Sequence, residues 1–431
     1  MPSFNERWVN VVNGCRLDLT KPINFVSTAD ITKFGGMETR KMVSIGTESR
    51  NPEIFRRFGV FATPVSIRMV AIVRGKGFER IAESTSPVEV HKTDFEFSQY
   101  LKKSKGEAGY LTYAFNCGLV SRFTGRPSLR SDFSGKARVR FTFRVDGLDP
   151  LKVEGAQVEV DSSFRDAQRF YLCESKYKTP DSFNIRQLYY PFRHFLEEAK
   201  PREVKNLFFA YEPEADEYRF WEYRFKNPQD YEQIELVKST RYKVEFSKNP
   251  TPLNQYAVQS PDSQMKALQA NNVFFLMDVP FLVSDGIDDT KGIANHFGIH
   301  HRQGEYNASG MKILGFIEER GRYKFKLTNL GEEYISLEPE ARTKFFIKRL
   351  MENPLVREAL NRILAGETLT LPELKEITER NDPRIKKSTI KRRAECLFAY
   401  FKFIAEVMGY CKVENGVISR LSAKETLNGY R

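Results

Sequence analysis

The chain has 431 residues, of which 41% are hydrophobic and 29% are charged. This is the composition of a globular protein, and it excludes disordered chains, fibrous chains and small disulfide-bonded domains. At about 100–200 residues per domain, the length suffices for two or three domains. The formal net charge of +12 favours a polyanionic partner.

The five cysteines are an odd number and show no CxxC spacing. They indicate a reducing compartment and argue against both a disulfide framework and a zinc site. The N-terminal segment lacks the apolar region of a signal peptide, and no apolar stretch reaches the ~20 residues that a membrane span needs. We therefore expect a cytoplasmic protein that has no membrane partner.

The first half of the chain alternates between strand-like and helix-like patterns. Alternating apolar residues at 65–73 predict half-buried strands, and residues 106–120 predict one amphipathic helix that ends near Gly118. The order that follows is three strands, a helix and two more strands. These elements are predicted at 137–145, 153–161 and 169–177, then 183–199, then 206–212 and 217–225.

A change of composition divides the chain after residue 246. Residues 247–265 are rich in Pro, Ser, Asn and Gln without an apolar period, which predicts a linker. Before the linker we expect one α+β domain, 1–246, with a core at about 106–225 and an N-terminal part at 1–105. After it, 266–345 and 346–431 each give helices followed by a hairpin, which is the order of a winged helix.

Acidic and basic side chains are placed to meet at the ends of two predicted strands. Side chains two residues apart share a face of a strand, so Glu174 lies beside Lys176, and Glu159 lies beside Asp161. If the strands are neighbours, these groups converge. Carboxylate oxygens suit Mg²⁺, which polarises a phosphate oxygen and helps to deprotonate a water that Lys176 orients. We predict a Mg²⁺ site at Asp161 and Glu174, with Glu159 either a third ligand or a solvated residue.

Asp161, followed by Glu174-Ser175-Lys176 on the next predicted strand, resembles the PD-(D/E)XK nuclease signature. The surrounding segments GAQVEVDSSF, FYLCESKY and DSFNIRQLYYPFR are similar to those of type II restriction endonucleases. The resemblance implies a mixed sheet flanked by helices, with Asp161, Glu174 and Lys176 as the catalytic set. Val160 departs from the pattern, since the signature has Pro there.

Two further residues acquire roles from the same resemblance. Glu107 falls where such enzymes carry a helix acid near the metal, but it can also be an acid that complements a helix N-terminus. Gln187 falls where related nucleases place a helix Gln near the site, and it can also serve only to cap and pack the helix.

The region after the linker is similar to winged-helix DNA-binding domains appended to some of these enzymes. In the first unit, the predicted recognition helix begins with residues of the kind that contact the edges of DNA bases. The predicted wing carries Lys and Arg side chains that suit phosphates. The second unit contains a dense basic run that predicts a phosphate-binding stripe. The predicted DNA-binding residues are His301, Arg302, Gln303, Tyr306, Asn307, Arg322, Lys324, Lys387, Lys391, Arg392 and Arg393.

The resemblance implies a Mg²⁺-dependent, sequence-specific endonuclease that cuts double-stranded DNA to 5′-phosphate ends. Such an enzyme belongs to a restriction-modification system, with a cognate DNA methyltransferase as functional partner and a homodimer on DNA as the cutting species. Two alternatives remain open at this stage. One is a DNA-binding regulator with an inactive nuclease-like core, and the other is a repair nuclease that reads DNA structure. Winged helices can also bind proteins, and charge runs can be solvated faces.

Overall fold

The computed structural model describes residues 2–84, 86–93, 107–132, 135–145, 147–246, 265–267, 269–321, 323–383, 385–408 and 411–420. The fold is mixed α+β, with the strands concentrated in the N-terminal part and the helices in the C-terminal region. This confirms the α+β class that the residue patterns predict. The predicted linker, apart from Met265, lies outside the described residues.

The chain forms two compact units. The first contains Met1–His91, Gly106–Leu111 and Leu129–Val244, and the second contains Lys92–Lys105, Thr112–Ser128 and Glu245–Arg431. Residues 112–128 thus belong to the second unit, although the sequence pattern placed them within the first predicted domain. No helix in the described part of the chain is long and apolar enough to cross a membrane.

The helices and strands of the first unit take the following bounds, with α5, β5 and β14 each continuing into the second unit. The helices are α1 (Phe4–Gly14), α2 (Thr28–Gly35), α3 (Thr39–Val43), α4 (Glu53–Phe58), α5 (Glu107–Asn116) and α7 (Arg186–Glu198). The strands are β1 (Ile23–Ser27), β2 (Val60–Pro64), β3 (Met69–Arg74), β4 (Phe78–Arg80), β5 (Val88–Thr93), β6 (Arg130–Ser131), β7 (Gly135–Phe143), β8 (Leu151–Val160), β9 (Ser162–Arg165), β10 (Arg169–Tyr177), β11 (Ser182–Asn184), β12 (Glu203–Glu212), β13 (Glu217–Phe225) and β14 (Ile234–Phe246).

A seven-stranded mixed sheet forms the centre of the first unit, in the order β5-β14-β13-β12-β10-β9-β6. β10 runs parallel to β12 and antiparallel to β9. Its interior position explains why six of its nine residues, Phe170 to Ser175, are buried. β7 and β8 instead form a separate antiparallel ribbon, so the two strands that the sequence pattern offered as neighbours, 153–161 and 169–177, do not pair.

The N-terminal strand pattern was interpreted incorrectly. The strand β3 begins at Met69, and Ile67 is exposed before it. β3 is not half-buried, because it is the central strand of the sheet β1-β3-β2 and serves two cores. Ala71 and Val73 pack into a core shared with the sheet and α7, and their neighbours Val70 and Ile72 pack into a second core around α1.

The second unit is mainly helical. Its elements are α6 (Leu119–Thr124), α8 (Val273–Ser284), α9 (Thr290–Phe297), α10 (His301–Ile313), β15 (Ile317–Gly321), β16 (Lys324–Leu327), α11 (Asn329–Ser336), α12 (Pro339–Met351), α13 (Pro354–Leu364), α14 (Leu371–Asn381), α15 (Lys387–Met408), β17 (Cys411–Glu414) and β18 (Val417–Arg420).

The predicted order of elements in this region is present. Gly298 adopts a positive φ of 62° and separates α9 from α10, after which β15 and β16 form a hairpin. Asn415 and Gly416 both have positive φ at the turn of the last hairpin, as the Asn-Gly pair predicts. The single helix expected at 106–120 is instead two helices, α5 and α6, because Gly118 at φ 79° ends the run.

Candidate active site

The candidate site lies near the C-terminal end of β10, where a buried apolar strand gives way to polar residues. Glu174 and Lys176 lie two residues apart and are in contact, with Lys176 Nζ donating to Glu174 Oε1 at 2.5 Å. Lys176 Nζ also donates to the carbonyl oxygen of Ser175 at 3.0 Å. The alternation of the strand therefore places this ion pair as predicted.

Asp161 reaches the same strand by a route that the sequence pattern missed. The chain bends at Asp161, between β8 and β9, and β9 then pairs with β10, with Ser162 opposite Cys173. Asp161 Oδ2 accepts hydrogen bonds from the backbone N–H of Ser175 at 2.8 Å and from its hydroxyl at 3.1 Å. The bend brings Asp161 to β10 without any pairing between β8 and β10.

Burial and crowding of carboxylates perturb this site. Glu174 is only 8% exposed, and burial raises its pKa to about 7; the charge of Lys176 opposes the rise, while the charges of Asp161 and Glu107 add to it. Burial lowers the pKa of Lys176, but the neighbouring carboxylates, Glu174 first, raise it by more. Lys176 is therefore a cation at neutral pH, and Glu174 is poised between its two protonation states.

Gln187 contacts the site from the first turn of α7. Its Nε2 donates to Glu174 Oε1, the oxygen that also accepts from Lys176. The other amide atom, Oε1, is buried and has no hydrogen-bond partner among the described residues. An unpaired buried acceptor is costly, so this atom marks a place where a water or ligand donor would be favourable.

Glu107 is the first residue of α5, and its carboxylate reaches the end of β10. Oε1 accepts from the backbone N–H of Tyr177 at 3.4 Å. The ring of Tyr110 stacks on that of Tyr211 at 3.9 Å between centroids, which fixes this turn of the helix against β12. Glu107 thus fits both of its predicted readings, since it stands at a helix N-terminus and its charge acts on Glu174.

Glu159 occupies a different position from the other carboxylates. Its side chain is 56% exposed and lies 3.7 Å from Arg40. In the described part of the chain no group of three or more His, Cys, Asp or Glu side chains is placed to hold a metal ion. The solvated reading of Glu159 therefore fits its geometry better than the reading as a third ligand.

Two carboxylates are nevertheless a fitting donor set for Mg²⁺. This ion is usually held by one or two carboxylates, with waters and substrate phosphates completing its octahedron. Among the described residues no hydrogen bond reaches Asp161 Oδ1 or Glu174 Oε2. The unpaired Oε1 of Gln187 adds a third oxygen nearby, and this one is neutral.

A cleft of about 660 Å³ opens over these groups, and Asp161, Glu174 and Gln187 line it. Cations from three distant segments line it as well, namely Arg40, Lys136 and Arg186. No local motif joins these three cations, because they lie far apart in the chain. Their presence makes the cleft suited to a phosphate group.

The predicted recognition helix is present as α10, with mixed outcomes for its residues. His301, Arg302 and Gln303 are exposed in its first turn. Asn307 is buried, and its amide donates to the carbonyl oxygen of Gln303 at 2.8 Å. Asn307 therefore faces the interior of its unit, and the prediction that it contacts a base is not supported.

The other predicted DNA-binding residues are likewise partly exposed and partly engaged with neighbouring residues. The guanidinium of Arg392 lies over the ring of Tyr306 at 4.3 Å and donates to its hydroxyl, so these two predicted contacts pair with each other. Arg393 donates to the carbonyl oxygen of Ala267 at 2.9 Å. Lys324, Lys387 and Lys391 are exposed, the first 3.8 Å from Asp288 and the last 3.9 Å from Glu395. Arg322 lies outside the described residues.

Comparison with protein families gives two matches. Residues 73–243 match the model of a domain of unknown function, DUF6997, and residues 279–409 match a second one, DUF7226. The first match contains the whole set Glu107, Asp161, Glu174, Lys176 and Gln187. No curated protein and no solved structure matches the chain.

Proposed function

We propose that this protein is a Mg²⁺-dependent endonuclease of the PD-(D/E)XK type that hydrolyses double-stranded DNA. The observation that carries the proposal is the meeting of Asp161, Glu174 and Lys176 at one end of β10, with a buried Glu174 whose pKa is raised to about 7. Strongly perturbed carboxylates in a cleft are a sign of a functional site. The resemblance of the motif to that of type II restriction endonucleases supplies the substrate class.

In this proposal each group has a defined task. Asp161 and Glu174 would hold the cation. When bound there, Mg²⁺ would neutralise a phosphate oxygen and stabilise the negative charge of the transition state. Gln187 holds the Glu174 carboxylate in one orientation. Lys176, a cation on a half-buried stem, orients the attacking water and stabilises charge on the phosphate.

The reaction is an in-line displacement at phosphorus. A water oxygen forms the new bond to phosphorus as the bond to the 3′ oxygen breaks, which leaves a 5′-phosphate and a 3′-hydroxyl. The water gives up a proton to solvent, and the departing 3′ oxygen takes one. Lys176 donates hydrogen bonds in this scheme and is not the base, because its raised pKa keeps it protonated.

The C-terminal region serves as a DNA-binding part in the same proposal. Its tandem order of helices and hairpins resembles that of winged helices, and His301, Arg302 and Gln303 are exposed at the start of α10. As part of a restriction-modification system, the protein would act beside a DNA methyltransferase that protects the host sites. Cutting both strands with one site per chain calls for two chains acting together.

The test is incubation of the purified protein with unmethylated phage DNA, in Mg²⁺ or in EDTA, beside Glu174→Ala and Lys176→Ala. We expect discrete fragments only from the wild-type protein in Mg²⁺, and retention of DNA by both variants on a native gel. Cleavage by both variants would remove the assignment of the site. Retention of DNA by the wild-type protein without any cutting would point to a DNA-binding regulator, and cutting confined to branched or mismatched duplexes to a repair nuclease.

A further inference from the structure

The ribbon β7–β8 presents one apolar face and one polar face. Its apolar side chains, among them Val139, Phe143 and Val153, are buried in the main core of the first unit. On the other face, cross-strand partners are all exposed and polar. These pairs are Lys136 with Glu159, Arg138 with Gln157, Arg140 with Glu154 and Thr142 with Lys152.

A bulge keeps this polar face continuous along the whole ribbon. β8 carries one extra residue, Gly155, between the partners of Val139 and Arg140, and it adopts a positive φ of 77°. The exposed residues of β8 are Lys152 and Glu154 before the bulge, and Gln157 and Glu159 after it. The bulge therefore shifts the alternation by one residue, and it also bends the strand.

Cations outnumber acids on this face, which carries Lys136, Arg138, Arg140 and Lys152 against Glu154 and Glu159. Lys152 pairs with Glu154 at 2.7 Å and Arg40 with Glu159 at 3.7 Å, which engages both acids of the face. No ion pair within the described part of the chain involves Lys136, Arg138 or Arg140. Besides the hydrogen bond from Lys152, the charge of Arg140 helps to lower the pKa of Glu154, its cross-strand partner. Three successive outward positions of β7 thus carry positive charge, about 7 Å apart from one to the next by strand geometry.

This row of charge leads into the candidate site. Lys136, at the start of β7, lines the same cleft as Asp161 and Glu174, and so does Gln157 from the neighbouring strand. Arg138 and Arg140 continue the row away from that cleft along β7. The polar face and the cleft therefore form one surface within the first unit.

We propose that the polar face of the β7–β8 ribbon is a second DNA-binding surface, which holds the duplex beside the phosphate to be cut. This inference rests on the proposed function and adds to it a contact within the first unit itself. Lys136, Arg138 and Arg140 contact phosphates of the duplex. The major groove of B-DNA, about 12 Å wide, admits a two-stranded β-ribbon.

Gln157 can contact base edges, which contacts to phosphates do not provide. It is the direct cross-strand partner of Arg138 at the middle of the polar face. Gln makes paired hydrogen bonds to adenine in the major groove. Gln157 is thus the part of the ribbon that can favour one base sequence over another close to the cut.

The test compares the full-length protein with K136A/R138A/R140A and with a charge-matched control, K21A/K33A/R57A, whose three exposed cations do not line the cleft. Binding of a 30-bp duplex in EDTA is followed by fluorescence anisotropy over a range of salt. Each lost phosphate contact lowers the slope of log K against log[salt] by about 0.9, so the triple ribbon variant should lose about 2–3 and the control nothing.

The single variant Arg138→Gln, with an expected loss of about 0.9 in slope, repeats the test with minimal disturbance to the fold. An unchanged slope in both ribbon variants, while the wild-type protein binds and cuts DNA, overturns the ribbon surface and leaves the nuclease proposal standing. Absence of DNA binding and cutting by the wild-type protein overturns both. Equal losses in the ribbon variant and the control would show an effect of net charge alone and would also reject the surface.

Discussion

The end of β10 and the start of α10 were both predicted to carry function, and they differ in how far the structure brings the predicted residues together. At β10, Glu174 interacts with Lys176 of its own strand and with residues from three other segments, and burial raises its pKa. These residues are Glu107, Asp161 and Gln187. In the helical region, Tyr306, Asn307, Arg392 and Arg393 are engaged within their own unit. A polar residue on a helix thus reveals its role only once its packing partners are known, whereas strand alternation fixes the face directly.

The largest effect on cleavage is expected when a carboxylate of the candidate site is replaced, compared with a carboxylate elsewhere in the sheet. Asp161→Asn should reduce Mg²⁺-dependent cleavage by at least about 100-fold, because it removes one of the two carboxylates that would hold the Mg²⁺ ion, whose charge stabilises the transition state. DNA affinity should change little. The measurement is a single-turnover cleavage rate with saturating enzyme.

Glu203→Gln serves as the control, since Glu203 lies at the opposite end of β12 and pairs with Arg169 at 3.4 Å. Its rate should stay within a few-fold of wild type. Equal losses in the two variants would mean that the sheet tolerates no change of charge and that Asp161 is not special.

The pH dependence of stability probes the buried carboxylate of Glu174 without any metal. Burial raises its folded pKa to about 7, above the ordinary glutamate value of 4.5. The native state therefore holds its proton longer than the unfolded state does. The free energy of unfolding should fall as pH rises from about 4.5 through 7, by up to roughly 3 kcal/mol.

Glu174→Gln should lack this part of the pH dependence, so its stability relative to wild type should increase from pH 5 to pH 8. Urea unfolding of both proteins in EDTA at the two pH values measures the difference. A constant difference across that range would show that Glu174 is not perturbed in the folded state.

Within α10, the exposed Arg302 and the buried Asn307, five positions apart, should respond differently to substitution. Arg302→Ala should weaken binding to the cognate duplex by about 1–3 kcal/mol, the usual size of a lost base contact, and leave stability unchanged. Asn307→Ala should lower stability instead, because it removes a buried amide that donates to Gln303. Anisotropy titrations and thermal melts of both variants test this. The opposite assignment of effects would show that α10 does not present its first turn to DNA.

The smallest effects are expected in α15. Lys391→Ala should lower the salt slope of DNA binding by about 0.9 without affecting stability. Arg392→Ala should leave the slope unchanged and destabilise the fold by about 1 kcal/mol, because it loses the contact with the ring of Tyr306. If Arg392→Ala changes the slope and Lys391→Ala does not, the exposed lysine is only a solvated charge.

Much of the fold followed from periodicity in the sequence. The strand at 169–177 and the Asn-Gly hairpin at 415–416 are present as predicted, because each depends on local spacing. β9 was missed because its four residues, with two serines and an arginine, are typical of a polar connection. The helix α12 was missed too, since apolar spacing in Pro339–Met351 is interrupted by basic residues.

The candidate site was predictable in its motif and not in its surroundings. Asp161, Glu174 and Lys176 follow from a short pattern, and strand geometry relates two of them. The cations that line the cleft, Arg40 and Arg186, come from segments more than 140 residues apart in the chain. Only the folded arrangement of α3, α7 and the ribbon shows that they share one surface.

The shared strand β3 has a consequence for how the first unit unfolds. Its side chains fill one core that contains Trp221 and another that contains Trp8, and these are the two tryptophans of the chain. If β3 leaves the sheet, both cores lose side chains that they need for packing. Single-tryptophan variants, each retaining one indole, would therefore be spectroscopic reporters on opposite sides of one strand, and their fluorescence should record the same melting transition.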